Sequence, residues 1–158
     1  MTAREVIDWL SVSEATNMAA LHTAAFRETE AWEASAIEDL LRQPNIYALG
    51  VYTDALLISF MIAQVAVDCA EILTIATHPK RQRKGLAARL IAFFERHSPM
   101  EGLQTWLLDV AADNQSAIAF YEKLGFQVDG RRPEYYKRLE GQRIDAILMS
   151  KSLAGQAT

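Results

Sequence analysis

Apolar residues alternate along this chain between blocks of period two and blocks of period near 3.6, which separates strands from helices. Val6 to Leu10 is a short apolar run suited to a first strand. After Ser13, the residues Met18, Leu21, Ala25 and Phe26 follow a helical pattern. Ser35-Ala36-Ile37-Glu38 has the form of a capping box, in which serine and glutamate reciprocally satisfy free amides, and the helix it opens ends before Pro44. Ile46 to Tyr52 and Ala55 to Val67 read as strands joined by a hairpin at Thr53-Asp54. A further strand, Glu71 to Thr77, stops at Pro79.

From Gly85 the period is helical again, with Leu86, Leu90, Phe93 and Phe94 in phase and His97 in the last turn. Gln104 to Val110 returns to strand. Asn114 is placed to cap a helix holding Ile118, Phe120, Tyr121 and Leu124, which Gly125 ends as a C-terminal glycine. Phe126 to Val128 and Ile144 to Met149 complete the strands. The predicted order, β-α-α-β-β-β-α-β-α-β-β, belongs to the mixed α/β class. A mostly antiparallel sheet flanked by helices is expected, as one domain over 1–153 with a frayed tail at 154–158.

Length and composition fit that picture: 158 residues, 51% hydrophobic and 23% charged, suffice for one ordinary core and exclude a disordered or low-complexity chain. The longest apolar stretch, Ala55 to Ala63, contains Ser59 and is far short of the roughly 20 residues of a membrane helix. No apolar leader follows Met1, so a cytoplasmic protein is expected. The single cysteine, Cys69, excludes a disulfide framework and a cysteine-based metal site, and reads as a small core residue rather than a nucleophile. His22, His78 and His97 show no metal-like clustering and read as surface or turn residues. The net charge of −4 argues against general nucleic-acid binding. A local basic run, Lys80-Arg81-Gln82-Arg83-Lys84, suits a small polyanion instead.

That run lies in the strand-to-helix turn Thr77 to Ala88. Free amides at a helix N-terminus bind phosphate oxygens without any special side chain. Gly85 permits close backbone approach, Ala87 keeps the next contact small, and the basic side chains add charge-assisted bonds. The turn carries Gln82, Gly85 and Ala87 in the pattern Gln/Arg-x-x-Gly-x-Gly/Ala. It lacks the Gly-Lys-Ser/Thr of a P-loop and the glycines of a dinucleotide fingerprint.

Preceded by Ile72 to Thr77 and followed by a helix, this turn resembles the acetyl-CoA pyrophosphate loop of the GNAT acetyltransferase superfamily. The segment Leu108 to Phe126, with its Asn-x-x-Ala-x-x-x-Tyr pattern at Asn114, Ala117 and Tyr121, resembles the second signature of that superfamily. Ala31-Trp32, Arg131 to Tyr136 and Asp145 to Met149 are similar to the RimI-type group, which acetylates the N-terminal α-amine of ribosomal protein S18.

The resemblance implies acetyl-CoA as cosubstrate, no metal, and direct attack in a ternary complex. It implies cofactor contacts at Ile75, Ala76, Thr77, Gln82, Arg83, Lys84, Gly85, Leu86, Ala87, Ala88 and Asn114. Tyr121 falls where the family places its general acid. The proposed base of RimI-type enzymes is a glutamate at the position of Asp109, here one methylene shorter; Glu71, on the central strand, is the rival. Trp32, Tyr135 and Tyr136 are candidate substrate contacts. The implied partner is a protein or peptide N-terminus, such as that of ribosomal protein S18; no direct nucleic-acid or membrane partner is expected, and the enzyme is expected to be a monomer or weak dimer. A small-molecule amine acetyltransferase and a non-catalytic acyl-CoA-binding regulatory module are the alternatives.

Overall fold

The computed structural model describes residues 4–26, 31–138 and 141–153, which fall into two compact groups. The first group comprises 1–65 and 73–99, the second 66–72 and 100–158. The tail expected at 154–158 lies outside the described residues.

In the first unit, β1 (Glu5–Trp9), β2 (Ile46–Thr53) and β3 (Leu56–Ala66) form an antiparallel meander with Val6 opposite Tyr52 and Gly50 opposite Phe60. Asp54 and Ala55 form the β2–β3 turn with φ of 47° and 67°. Two successive left-handed residues match the twist of the strands they join. Helix α1 (Ala15–Ala25) follows a 3-10 turn at Val12–Glu14, and α2 (Ala34–Leu41) follows an extended link. Met18, Leu21, Ile37, Ile46, Phe60 and Ile62 belong to one buried cluster, so the helical and strand periods meet on a common apolar core. The last residues of β4 (Cys69–Thr77) and α3 (Leu86–Arg96) also belong here, α3 burying Leu86, Leu90, Ile91 and Phe94.

The expected capping box is not what starts α2. Its N-cap is Glu33, in extended conformation with no side-chain cap, and Ser35 already lies inside the first turn. The chain enters from Trp32, whose backbone N–H donates to His22 Nδ1 at 3.1 Å, so a tertiary anchor sets the helix start instead of the local serine.

The second unit holds the first residues of β4, then β5 (Thr105–Ala111), α4 (Gln115–Lys123), β6 (Gln127–Lys137) and β7 (Arg143–Ser152). β4 and β5 pair in parallel from Cys69↔Thr105 to Ile72↔Leu108, and β7 pairs antiparallel with both β5 and β6. Ala70, Ile72, Trp106, Leu108, Val110, Ile147 and Met149 are buried, and the registers put all of them on one face. β6 is far longer than the Phe126 to Val128 expected; its residues are almost all exposed, so no apolar alternation marks it in the sequence. The full strand order is β1-β2-β3-β4-β5-β7-β6, a mixed, mostly antiparallel sheet. Among the described residues there are four α-helices, and none is long and apolar enough to cross a membrane.

Candidate active site

The turn after β4 has its own internal bracing. Gln82 Nε2 donates to the Thr77 carbonyl at 3.1 Å, and the Thr77 hydroxyl lies 2.8 Å from Ser59 Oγ. His78 Nδ1 accepts from the Lys80 N–H at 3.1 Å and caps the 3-10 turn Pro79–Arg81, a turn role as expected. Arg83 and Gly85 both take left-handed φ, 64° and 79°. Gly85 is the N-cap of α3 and contributes no side chain, so no side-chain cap competes for the amides of Leu86, Ala87 and Ala88. A Cβ at Gly85 would meet nothing within 4 Å, so the space beside Gly85 is open. A helix N-terminus without a side-chain cap, next in sequence to Arg83 and Lys84, can bind an anion such as a phosphate.

In the second unit, parity along the strands creates a second cluster. Glu71 is opposite Leu107 on β5, and Asp109 is two residues further along that strand, so both carboxylates share a face. Asp109 pairs with Leu148, and Arg132 on β6 with Ala146, which adds Arg132 to that face. The face is half-open: Leu107 is 39% exposed, while its neighbours Trp106 and Leu108 point into the apolar layer. Arg132 Nη1 lies 3.6 Å from Asp109 Oδ2. Burial, reinforced by the neighbouring Asp109 charge, raises the Glu71 carboxyl above its ordinary range, and Arg132 partly opposes the shift. A half-buried carboxylate with a raised pKa, beside a second carboxylate, holds a proton more readily than an ordinary one and can serve as a proton acceptor.

Asn114 caps α4 as expected, its side-chain oxygen accepting from the Ala117 N–H at 3.2 Å. It also accepts from Ser116 Oγ at 3.2 Å, so the oxygen is engaged and the amide NH2 is the part left for a ligand. Gly125, with φ of 100°, ends the helix. Tyr121 packs edge-on against Phe120 and Phe126, with centroids 5.1 and 5.4 Å away. Burial, with Tyr136 nearby, pushes its phenol well above the ordinary tyrosine value, which makes it a weaker acid and a hydrogen-bond donor over the whole working pH range.

Of the candidate substrate contacts, Trp32 stacks on His22 at 5.1 Å and 21° and packs against the core of the first unit. Tyr135 is 48% exposed and lies in T-shaped contact with the half-buried Tyr136. Sequence reading missed two residues. His22 is not a surface histidine: it is 1% exposed, because helical spacing with Met18 and Leu21 turns it inward. Arg132 was visible only as part of a motif; its place opposite Ala146, and hence beside Asp109, needs the β6–β7 register. Cys69 is half-buried, its thiol raised by burial and by Asp68, which disfavours the thiolate a nucleophile needs. Among the described residues no three His, Cys, Asp or Glu side chains form a metal-holding group.

The chain matches the model of the acetyltransferase (GNAT) family over residues 5–126. It is 40% identical over 92 residues to the [Ribosomal protein bS18]-alanine N-acetyltransferase of Escherichia coli strain K12, covering 58% of this chain and 62% of that protein. The enzyme of the same name from Salmonella typhimurium is 37% identical over 102 residues, 65% of this chain and 68% of the relative. The matched stretch thus spans 62% of the length of the Escherichia coli relative. Among solved structures, the ribosomal-protein-S18-alanine N-acetyltransferase from Escherichia coli superposes with TM-score 0.84 at 28% identity, covering 94% of both chains. Arabidopsis thaliana NAA60 in complex with acetyl-CoA shares the fold, with TM-score 0.79 at 18% identity over 96% of this chain and 100% of that one. With a seven-stranded mixed sheet, a glycine-capped helix start after β4 and a match over residues 5–126, this chain belongs to the acetyltransferase (GNAT) family.

Proposed function

We propose that this protein acetylates the N-terminal α-amine of a protein, of the ribosomal protein S18 type, by direct attack in a ternary complex with acetyl-CoA. The observation that carries the reading is the pair Glu71 and Asp109 on one half-open sheet face. The activity of the Escherichia coli and Salmonella relatives, alanine N-acetylation of ribosomal protein bS18, supplies the acceptor class. Acetyl-CoA supplies the thioester: the amine nitrogen bonds to its carbonyl carbon, the C–S bond breaks, and one amine proton must leave while the thiolate gains one.

The residues of the chain divide this work. The open amides at Leu86, Ala87 and Ala88, with Arg83 and Lys84, hold the pyrophosphate; the β4 backbone at Ile75, Ala76 and Thr77 aligns the acyl arm. Glu71 receives the amine proton. Its carboxyl, raised by burial and by the neighbouring Asp109, suits that role, while Asp109 is ion-paired with Arg132. An α-amine of pKa about 7.7–8.0 is neutral in roughly a tenth to a fifth of molecules at pH 7, so the base need only be adequate. Tyr121 donates a hydrogen bond to the departing thiolate. Complete transfer from an ordinary phenol to a thiolate of conjugate pKa about 8.5 is uphill by about 2 kcal/mol. The burial of Tyr121 makes it steeper, so solvent delivers the final proton.

Intact-mass analysis after incubation with acetyl-CoA tests the reading. The panel holds an S18-type N-terminal peptide, its N-terminally blocked form, a lysine-bearing control and small amines. One acetyl on the free-N-terminus peptide alone is the expected result. Transfer only to small amines overturns the acceptor, and no transfer with acetyl-CoA bound overturns the enzyme assignment.

A further inference from the structure

The β6 strand makes an abrupt departure from its ladder beside the carboxylate pair. Arg132 is opposite Ala146 and Tyr136 is opposite Ile144, so three β6 residues, Pro133, Glu134 and Tyr135, face the single β7 residue Asp145. Such a bulge bends the strand and re-aims its side chains. Here one carboxylate pins it. Asp145 Oδ1 accepts from the Glu134 N–H at 2.8 Å and Oδ2 from Arg131 Nη1 at 2.7 Å. Glu134 takes a left-handed φ of 51°, a conformation a non-glycine residue keeps only when its surroundings hold it.

The bulge fixes the surroundings of Arg132. Its guanidinium lies 4.8 Å from the centroid of the Tyr135 ring on one side and 3.6 Å from Asp109 Oδ2 on the other. The charged groups acting on Glu71 are Asp109 from β5, which disfavours its ionisation, and Arg132 from β6, which favours it. Two carboxylates with one cation have a charge balance that a single substitution changes.

We propose that Arg132 sets the pH at which the Glu71–Asp109 pair operates, and that Asp145 is the positioning residue that holds it there through the β6 bulge. The inference rests on the proposed function for its catalytic consequence, and on the Arg132–Asp109 ion pair and the bulge geometry for the charge effect. Without the guanidinium, Glu71 feels Asp109 unopposed and stays protonated to higher pH. A protonated Glu71 cannot accept the amine proton, so loss of rate is concentrated at low pH.

The test compares wild type, Arg132→Gln, Arg132→Lys and Asp145→Ala in kcat/KM against pH with the S18-type peptide. A titration of the Glu71 carboxyl by carbon NMR in unliganded protein accompanies it. Arg132→Gln is expected to lose roughly threefold or more at about pH 6 and less than about twofold at about pH 9. Arg132→Lys keeps the wild-type acid limb, and Asp145→Ala moves it the same way as Arg132→Gln. In the NMR titration, the Glu71 midpoint moves up in both charge-displacing variants. A uniform loss at every pH with an unmoved Glu71 midpoint overturns the inference. Absence of peptide acetylation by wild type overturns the proposed function instead, and the NMR midpoint then still decides the charge effect.

Discussion

Acidifying the protein from about pH 6.5 to about pH 4 should remove close to 3 kcal/mol of stability through His22 alone. Its ring is 1% exposed, stacked 4.2 Å from Phe26 at 15° and 5.1 Å from Trp32. Trp32 N–H donates to Nδ1, so the neutral ring carries its hydrogen on Nε2 and donates to Thr74 Oγ1 at 3.0 Å. A second proton would sit on Nδ1 and face the Trp32 N–H, two donors in opposition. Burial accordingly pushes His22 down to about 4 from an ordinary 6.5.

The unfolded chain takes up the proton near pH 6.5 and the folded one only near pH 4, so the unfolded state binds more protons in that window. The stabilisation is complete above pH 6.5 and is lost as pH falls toward 4. Each pH unit is worth about 1.4 kcal/mol, so the full gap is worth about 3.5 kcal/mol, of which about 3 kcal/mol is lost by pH 4. Urea unfolding of wild type and His22→Gln across this range isolates the contribution. The variant should be less stable at pH 7 from lost stacking, with the gap to wild type closing by about 3 kcal/mol on acidification. Parallel profiles would refute the burial argument.

Three further substitutions probe the site. Glu71→Gln should lower kcat by about 100-fold or more, and by more than Asp109→Asn does; the reverse order would transfer the base role to Asp109. Because the fold raises the Glu71 pKa, its charged form is disfavoured in the native state above that pKa and unpenalised below the ordinary carboxylate value. Thermal melts should therefore show Glu71→Gln more stable than wild type at neutral pH, with the advantage vanishing in acid. Tyr121→Phe should reduce turnover by about tenfold with acetyl-CoA affinity unchanged by calorimetry; unchanged turnover would remove Tyr121 from the mechanism. Asn114→Ala should destabilise the protein by about 1 kcal/mol in denaturant melts through loss of the α4 cap, and raise the KM for acetyl-CoA.

Much of the architecture was legible in local pattern. The period-two runs at Ile46 to Tyr52 and Glu71 to Thr77 are strands, and the helix starting after Gly85 is where its apolar spacing puts it. Asn114 caps α4 and Gly125 ends it, because capping and left-handed glycine are properties of a few adjacent residues. Elsewhere local signals competed with distant ones. Ser35 and Glu38 satisfy the pattern of a capping box, yet the link from Trp32 to His22 starts α2 earlier. β6 was underestimated because an exposed edge strand needs no apolar alternation.

The sequence by itself determined the family motifs, the identity of the strands that carry Glu71 and Asp109, and the glycine-capped turn with its open amides. Only the tertiary structure decided that Glu71, Asp109 and Arg132 share one face, that Asp145 pins the bulge beside them, and that His22 is buried. The physical reason is register. Side chains alternate every residue along a strand, so a slip of β5 by one position would replace Leu107 and Asp109 on that face with Trp106 and Leu108. What fixes that register is the packing of the apolar face, a sum over residues far apart in the chain.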